Sequence, residues 1–190
     1  MEKLSMNAVK DAYRLLNPGS VVLVSVGDGA ADNLLAVTWN MPVRKDPGMV
    51  AILSGKRHYS YSFMTGTGEF GINVPDVSIV DAVLGCGTCS GRDVKDKFGR
   101  FGLTRQPPQR IKAPLVAEAI ANLECRISQI VDLGASALLI AQILTASADP
   151  RHFKDGEWNF DNGLQLIHHL GGDRFCVSDR LVTGRIDGKR

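Results

Sequence analysis

Val9, Tyr13 and Leu16 recur at helical spacing, which predicts a short amphipathic helix over Met6 to Leu16, stopped by Asn17-Pro18-Gly19. The rhythm then changes. Ser20 to Val26 is a β-branched run and predicts a largely buried strand. Gly27-Asp28-Gly29 turns the chain, and Leu34 to Asn40 predicts a second strand. Met41-Pro42 is expected to end its regular pairing, because proline has no amide to donate. After a turn at Asp46-Pro47-Gly48, Met49 to Ser54 predicts a third strand. His58 to Thr65 reads as helical, Thr67-Gly68 breaks the helix, and Glu69 to Val74 is a strand that stops at Pro75. Asp76 is an N-cap candidate ahead of Val77, Val80, Val83 and Leu84, so a short helix is expected to Leu84.

Gly85 to Gly102 is glycine-rich and charged, too long for a simple turn, and reads as a functional loop with a helical piece near Lys95 to Phe98. Pro107-Pro108 is a spacer. Leu123 to Leu133 alternates: Leu123, Cys125 and Ile127 on one face, Glu124, Arg126 and Ser128 on the other. Ser136 to Ala146 is almost continuously apolar and predicts a central strand. Arg151 to Gly163 is a polar excursion, and Arg174 to Val177 is one more strand candidate before a loose tail. A meander of this size tends to close, so the expected fold is mainly β, an antiparallel barrel with peripheral helices. Residues 1–190 are expected to form a single domain with its core at about 17–177.

Composition narrows the function classes. Apolar residues are 44% and charged residues 22%, which excludes a disordered chain. The net charge is +2 and the lysines and arginines are scattered, so no nucleic-acid partner is expected. The start lacks the basic-then-apolar pattern of a signal peptide. Ala135 to Ala146, the longest apolar candidate, is too short to span a bilayer and carries Gln142. The expectation is a cytoplasmic protein without membrane contact. Cys86, Cys89, Cys125 and Cys176 do not form the dense framework of a small secreted domain, and free thiols are expected.

Several segments, in order, resemble a known family. They are Leu34-Leu35-Ala36-Val37-Thr38-Trp39-Asn40-Met41-Pro42-Val43, Asp46-Pro47, Ser54-Gly55-Lys56-Arg57-His58-Tyr59-Ser60 and Gly68-Glu69-Phe70-Gly71-Ile72-Asn73-Val74-Pro75. Ser90-Gly91-Arg92-Asp93-Val94-Lys95-Asp96-Lys97-Phe98, Ala113-Pro114-Leu115, Leu123-Glu124-Cys125 and Gly171-Gly172-Asp173-Arg174-Phe175 continue the series. Together they resemble the flavin reductase-like family and, within it, the flavoredoxins. The resemblance implies a Greek-key-like FMN-binding split β-barrel, non-covalent FMN, and a homodimer with the cofactor near its interface.

FMN poses three recognition problems: a phosphate, a flat apolar ring and a polar ring edge. Ser54 ends a strand, Lys56, Arg57 and His58 follow, and Ser60 lies where a helix starts, an arrangement suited to an anion. The plainer reading is that Ser60 caps the helix and the cations are solvated; the resemblance favours the phosphate, held by Ser60 and one of Lys56 or Arg57. Trp39 either closes the barrel mouth or, as the resemblance implies, lines the ring with Thr38, Asn40 and Met41. Asn33 is a turn residue or, as the resemblance implies, a flavin contact. The resemblance places Lys97 near the flavin or its phosphate, folds Ser90, Gly91 and Arg92 over the cofactor, and sets Phe175 against the ring. The family often has an Asp-His pair where this chain reads Asp132-Leu133-Gly134; the histidine is missing, with His168 or His169 as replacements.

Cys86-Gly87-Thr88-Cys89 spaces two thiols as a redox dithiol or half a zinc site does. Cys125 and Cys176 lack the paired spacing that would complete a zinc site, and no metal is expected. No G-x-G-x-x-G follows a strand and no P-loop occurs, so NAD(P)H, if used, is a transient donor rather than a Rossmann-bound one. The expected function is an FMN-dependent oxidoreductase or electron-transfer flavoprotein, drawing electrons from NAD(P)H or a redox partner protein. The alternatives are a non-catalytic FMN-binding module or sensor, and a split barrel that has lost its flavin.

Overall fold

A computed structural model describes residues 19–184; the expected helix over Met6 to Leu16 lies outside them. The strands in chain order are β1 (Val22–Gly27), β2 (Asp32–Val37), β3 (Asn40–Arg44), β4 (Met49–Gly55), β5 (Glu69–Val74), β6 (Arg105–Gln106), β7 (Leu115–Val116), β8 (Ala121–Leu133), β9 (Ser136–Ala148), β10 (Phe153–Lys154), β11 (Glu157–Trp158), β12 (Leu166–Gly171) and β13 (Arg174–Ser178). The α-helices are α1 (Tyr59–Thr67), α2 (Val80–Thr88) and α3 (Lys97–Arg100). Seven strands form one sheet in the order β2-β1-β5-β8-β9-β4-β3, antiparallel at every pairing. The sheet curls into a split barrel. Val22, Val24, Val26, Ile52, Phe70, Cys125 and Leu139 share its interior, and Met64 of α1 plugs it.

The unbroken apolar run at the start of the barrel has a structural cause. Successive side chains of a strand point to opposite faces. Val22, Val24 and Val26 enter the barrel, while Val21 and Leu23 face a second core built from Ala82, Val83 and Cys86 of α2, with Phe98, Leu103 and Ile167. β1 is therefore buried on both faces, and so is Leu34 on β2. That outer layer presses α2 against β2, with no room between them: a Cβ on Gly87 would stand 3.2 Å from that of Ala36.

Three expectations need correction. Pro42 does not end pairing; the break falls at Thr38-Trp39, and Pro42 lies inside β3, opposite Val50. β3 is an edge strand, where a missing amide goes unnoticed. Glu124, expected on the polar face of its strand, is buried. Its carboxylate accepts the backbone amides of Gln109, Arg110 and Ile111, which pins the proline-rich loop to the barrel. The tail carries β12 as well as the expected strand, paired as a hairpin with β13.

Asn73 joins four strands. Its amide group donates to the Leu23 carbonyl at 2.9 Å and to Ser25 Oγ at 3.2 Å, and its oxygen accepts from the Val116 amide and from Asn122 Nδ2, both at 2.9 Å. Every one of these groups is buried. Asn73→Ala leaves at least two buried donors unpaired, at about 1–3 kcal/mol each. Urea unfolding is expected to show a lower midpoint with an unchanged slope, a loss of about 3 kcal/mol; a midpoint equal to that of the native chain would show the network to be dispensable.

Candidate functional site

β2 runs along the floor of three adjoining hollows that share Ala36. The first, about 350 Å³, lies between β2, the start of α1 and the segment from Cys86 to Lys97. Asn33, Arg57, His58, Tyr59, Ser60 and Arg92 form its polar wall. The second, about 300 Å³, continues past Leu35 and His58 to Thr38, Trp39 and Ser136. The third, about 210 Å³, opens on the other side toward Thr88, His169 and Phe175.

The first hollow is built for an anion. The leading amides of a helix have no acceptor within it. The N-cap of α1, His58, makes no side-chain cap bond, and no acidic residue stands in the first turn. Ser60 is buried one step into that turn, with its Oγ accepting from Asn33 Nδ2 at 2.7 Å. Asn33 Oδ1 is buried and has no hydrogen-bond partner. Arg92 donates to the Arg57 carbonyl at 3.1 Å and sits 5.7 Å from the centre of the Tyr59 ring. Among the described residues, no carboxylate lines this hollow.

The wall opposite α1 is a loop held by two cations. Lys97 is 3% exposed, and its ammonium donates to the carbonyls of Leu34 (2.7 Å), Cys86 (2.9 Å) and Cys89 (2.7 Å). Burial lowers its pKa below the usual lysine value, and the neighbouring thiols oppose that shift. Arg105 grips Asp32 with two bonds, at 2.7 and 3.0 Å, and Asp96 with a third at 2.8 Å, which ties the start of β2 to the start of α3. The hydrogen bonds to Asp32 and Asp96 raise the pKa of Arg105 further. Asp96 also caps α3 by accepting the Gly99 amide, and this bond, with Arg105 behind it, holds its carboxyl below the usual range.

The structure gathers most of the residues singled out in the sequence. Asn33, Arg57, His58, Ser60, Ser90, Arg92 and Lys97 border the first hollow, Thr38 and Trp39 the second, and Phe175 the third, with Thr38 again. Ser90 Oγ accepts the Arg92 amide, so this hydroxyl shapes its own turn. Lys97 lines the floor, but all three of its donors are committed to carbonyls; it fastens the loop rather than presenting a cation. Four residues are drawn elsewhere. Lys56 pairs with Asp132 at 2.6 Å, which lowers the pKa of that carboxyl and leaves Arg57, of the two, to border the cleft. Asn40 donates to the Ser20 carbonyl at 2.8 Å and the Val37 carbonyl at 3.2 Å. Met41 is exposed on the edge strand, and Ser54 is buried with its hydroxyl on the Gly55 carbonyl. Of the two replacement histidines, His169 borders the third hollow, 5.1 Å ring to ring from Phe175, while His168 is bonded to Ser178. Sequence reasoning missed Tyr59, Leu35, Ala36 and Thr88 as cleft residues. The signals for Tyr59 were its place directly after the basic turn and within the family-like segment Ser54 to Ser60.

A family model described as the flavin reductase like domain matches residues 14–169. The chain is 35% identical over 177 residues to the protein YddH of Escherichia coli (strain K12), covering 90% of this chain and 93% of that one. It matches the structure of an FMN-binding domain of a flavin reductases-like enzyme from Shewanella baltica OS155, with a TM-score of 0.80, 26% identity and coverage of 95% and 97%. It also matches flavoredoxin of Desulfovibrio vulgaris (Miyazaki F), with a TM-score of 0.83, 24% identity and coverage of 98% and 99%; that likeness concerns the fold.

Two glycines test the cleft wall with opposite signs. A Cβ on Gly91 would stand 2.4 Å from Tyr59 Cδ1 and 2.5 Å from Asn33 Oδ1, both held by their own partners. Gly91→Ala is expected to cost about 1–3 kcal/mol. Gly66, inside α1, has nothing within 4 Å, and Gly66→Ala is expected to stabilise by about 0.5–1 kcal/mol. Thermal melts of the two variants check the signs; equal shifts would mean that Gly91 is not held against α1.

Proposed function

Because the chain belongs to the flavin reductase like domain family, we propose that it binds FMN non-covalently in the cleft along β2 and works as an oxidoreductase or electron-transfer flavoprotein. The observation that carries this reading is the first hollow: two arginines, an open helix start and an orphaned amide oxygen, with no carboxylate among the described lining residues. A phosphate matches that donor set. Arg57, Arg92, Ser60 and the leading amides of α1 would hold it. Asn33 Oδ1, buried and unpartnered, fits a hydroxyl donor of a polyol chain. Gly91 leaves the room that a side chain would fill. Leu35, Ala36, Thr38 and Trp39 offer the apolar flank that a flat ring needs, with His169 and Phe175 beyond Ala36.

The bound flavin supplies the electron chemistry, and the protein contributes binding, orientation and exclusion of water. The antiparallel barrel offers no βαβ crevice for a dinucleotide among the described residues, which supports a transient NAD(P)H donor or a redox partner protein. Exposed Met41 and Val43 at one sheet edge, and Ile130 and Leu133 on the β8–β9 hairpin, support a homodimer built from this single domain. No described helix is long and apolar enough to cross a membrane, and a cytoplasmic location is part of the same proposal.

Titration of the protein with FMN, followed by quenching of flavin fluorescence, tests the pocket. Saturable binding is expected, and riboflavin, which lacks the phosphate, is expected to bind far more weakly. Arg57→Ala and Arg92→Ala are each expected to weaken FMN by about 10–100-fold while leaving riboflavin unchanged. FMN and riboflavin binding alike, or neither binding, would overturn the reading. Anaerobic stopped-flow mixing with NADH or NADPH then separates a reductase, whose flavin bleaches with a nucleotide, from a carrier that needs a protein donor.

A further inference from the structure

The C-x-x-C pair is absorbed by neither the fold nor the flavin reading, yet the structure brings both cysteines to the wall of the first hollow. Both are free thiols; Cys86 is buried in the last turn of α2 and Cys89 is half-buried just after it. We propose that Cys86 and Cys89 form a redox-active dithiol that reduces disulfides entering the cleft, with Cys89 as the attacking thiol and Cys86 as the resolving one.

Three observations assign these roles. The first is spacing. Residues three apart at the end of a helix place their Cα atoms about 5–6 Å apart, within the span of a disulfide, although their Cβ atoms must draw closer to bond. Cys89 has already left the helix, at φ −120° and ψ 151°, so the loop rather than α2 makes that adjustment. The second is access. Cys89 lies at the boundary of protein and cleft, whereas Cys86 packs with Val83 and Phe98 in the outer core, where burial pushes its thiol up to about 12. A buried thiol of that kind waits for a bonded partner. The third is charge. The C-terminal end of a helix disfavours a thiolate. The ammonium of Lys97 supplies the opposite field, because it is clamped to the carbonyls of both cysteines and is shielded from water. A lysine so placed has a use beyond fastening the loop: its charge opposes the rise that burial imposes on the Cys86 thiol.

The exchange balances without another reactant. Cys89 loses its proton and attacks one sulfur of a disulfide RSSR. The S–S bond breaks, RS− leaves and takes up that proton, and Cys89 carries a mixed disulfide. Cys86 then loses its proton and attacks Cys89 Sγ, which releases the second RSH and leaves a Cys86–Cys89 bond. Two electrons pass from the protein dithiol to RSSR, giving two RSH. This inference does not rest on the flavin reading, because no step involves a flavin; a disulfide and an FMN phosphate share the first hollow and occupy it in turn.

The test uses oxidised glutathione as the disulfide, on a Cys176→Ser chain so that the exposed fourth thiol does not react. After acid quenching and maleimide labelling, intact mass and peptide mapping report each cysteine. The expected result is loss of the Cys86 and Cys89 thiols together, with no glutathione retained. With Cys86→Ser added, one glutathione is expected to stay on Cys89; with Cys89→Ser added, Cys86 is expected to stay free. A stable glutathione adduct on Cys89 while Cys86 is present would overturn the proposal, as would both thiols persisting in excess oxidised glutathione. Far-ultraviolet circular dichroism of each variant excludes unfolding as the source of reactivity, and the unsubstituted pair carries the decisive result by itself.

Discussion

Only Thr38 and Trp39 separate β2 from β3, yet these strands form the opposite edges of a seven-stranded sheet. Laid flat, six gaps of about 4.8 Å would put the edges roughly 29 Å apart. Two residues reach across roughly 10 Å at most. The sheet must therefore curl until its edges nearly meet, and β2 comes into contact with β4, the strand beside β3. The other features of the molecule are consequences of this closure. One face of every strand turns inward to a shared core, and the outer face of β1 and β2 needs its own cover. The split beside β2 is left as the place where something can enter.

That cover explains why the cleft has a rigid wall made of loop. α2 and α3 bury the outer face of β1 and β2, but the chain between them must bridge from one helix to the next across polar backbone. Buried carbonyls without donors are costly. Lys97 satisfies three at once, from β2, from the end of α2 and from the loop itself. A buried ammonium is itself expensive, and a full set of hydrogen bonds is the condition under which a protein retains one. The same contacts set the width of the cleft, because they fix the distance between β2 and the loop that faces α1.

The sequence was legible where the signal is local. The turn at Gly27-Asp28-Gly29, the strands over Met49–Gly55 and Glu69–Val74, and the helix after the basic turn follow from β-branched runs, glycine positions and helical spacing, and they stand where expected. Pro42 misled because proline excludes an amide, not a strand, and no local pattern says which strand becomes an edge. Glu124 misled because alternation reports two faces without saying that the outer one will be roofed by another loop. The family-like segments single out Ser60, Arg92 and Phe175, which border the hollows beside β2, while spacing alone left Asn33 and Ser60 open between capping or turning and binding.

The cations show most clearly what lies beyond a one-dimensional reading. Lys56, Arg57, Arg92 and Lys97 look alike on paper, as positive charges near a glycine-rich loop. Their fates are decided by acceptors far away in the chain. Asp132, at the tip of the β8–β9 hairpin, draws Lys56 out of the cleft. Three carbonyls draw Lys97 into the floor. The planar guanidinium of Arg92 can donate to a carbonyl and lie near the Tyr59 ring while keeping donors in reserve. A lysine in its place would have to choose. Arginine is thus the residue that can both brace the wall and meet an anion, and the two arginines among the described lining residues of this cleft, Arg57 and Arg92, stand where the start of α1 already favours negative charge.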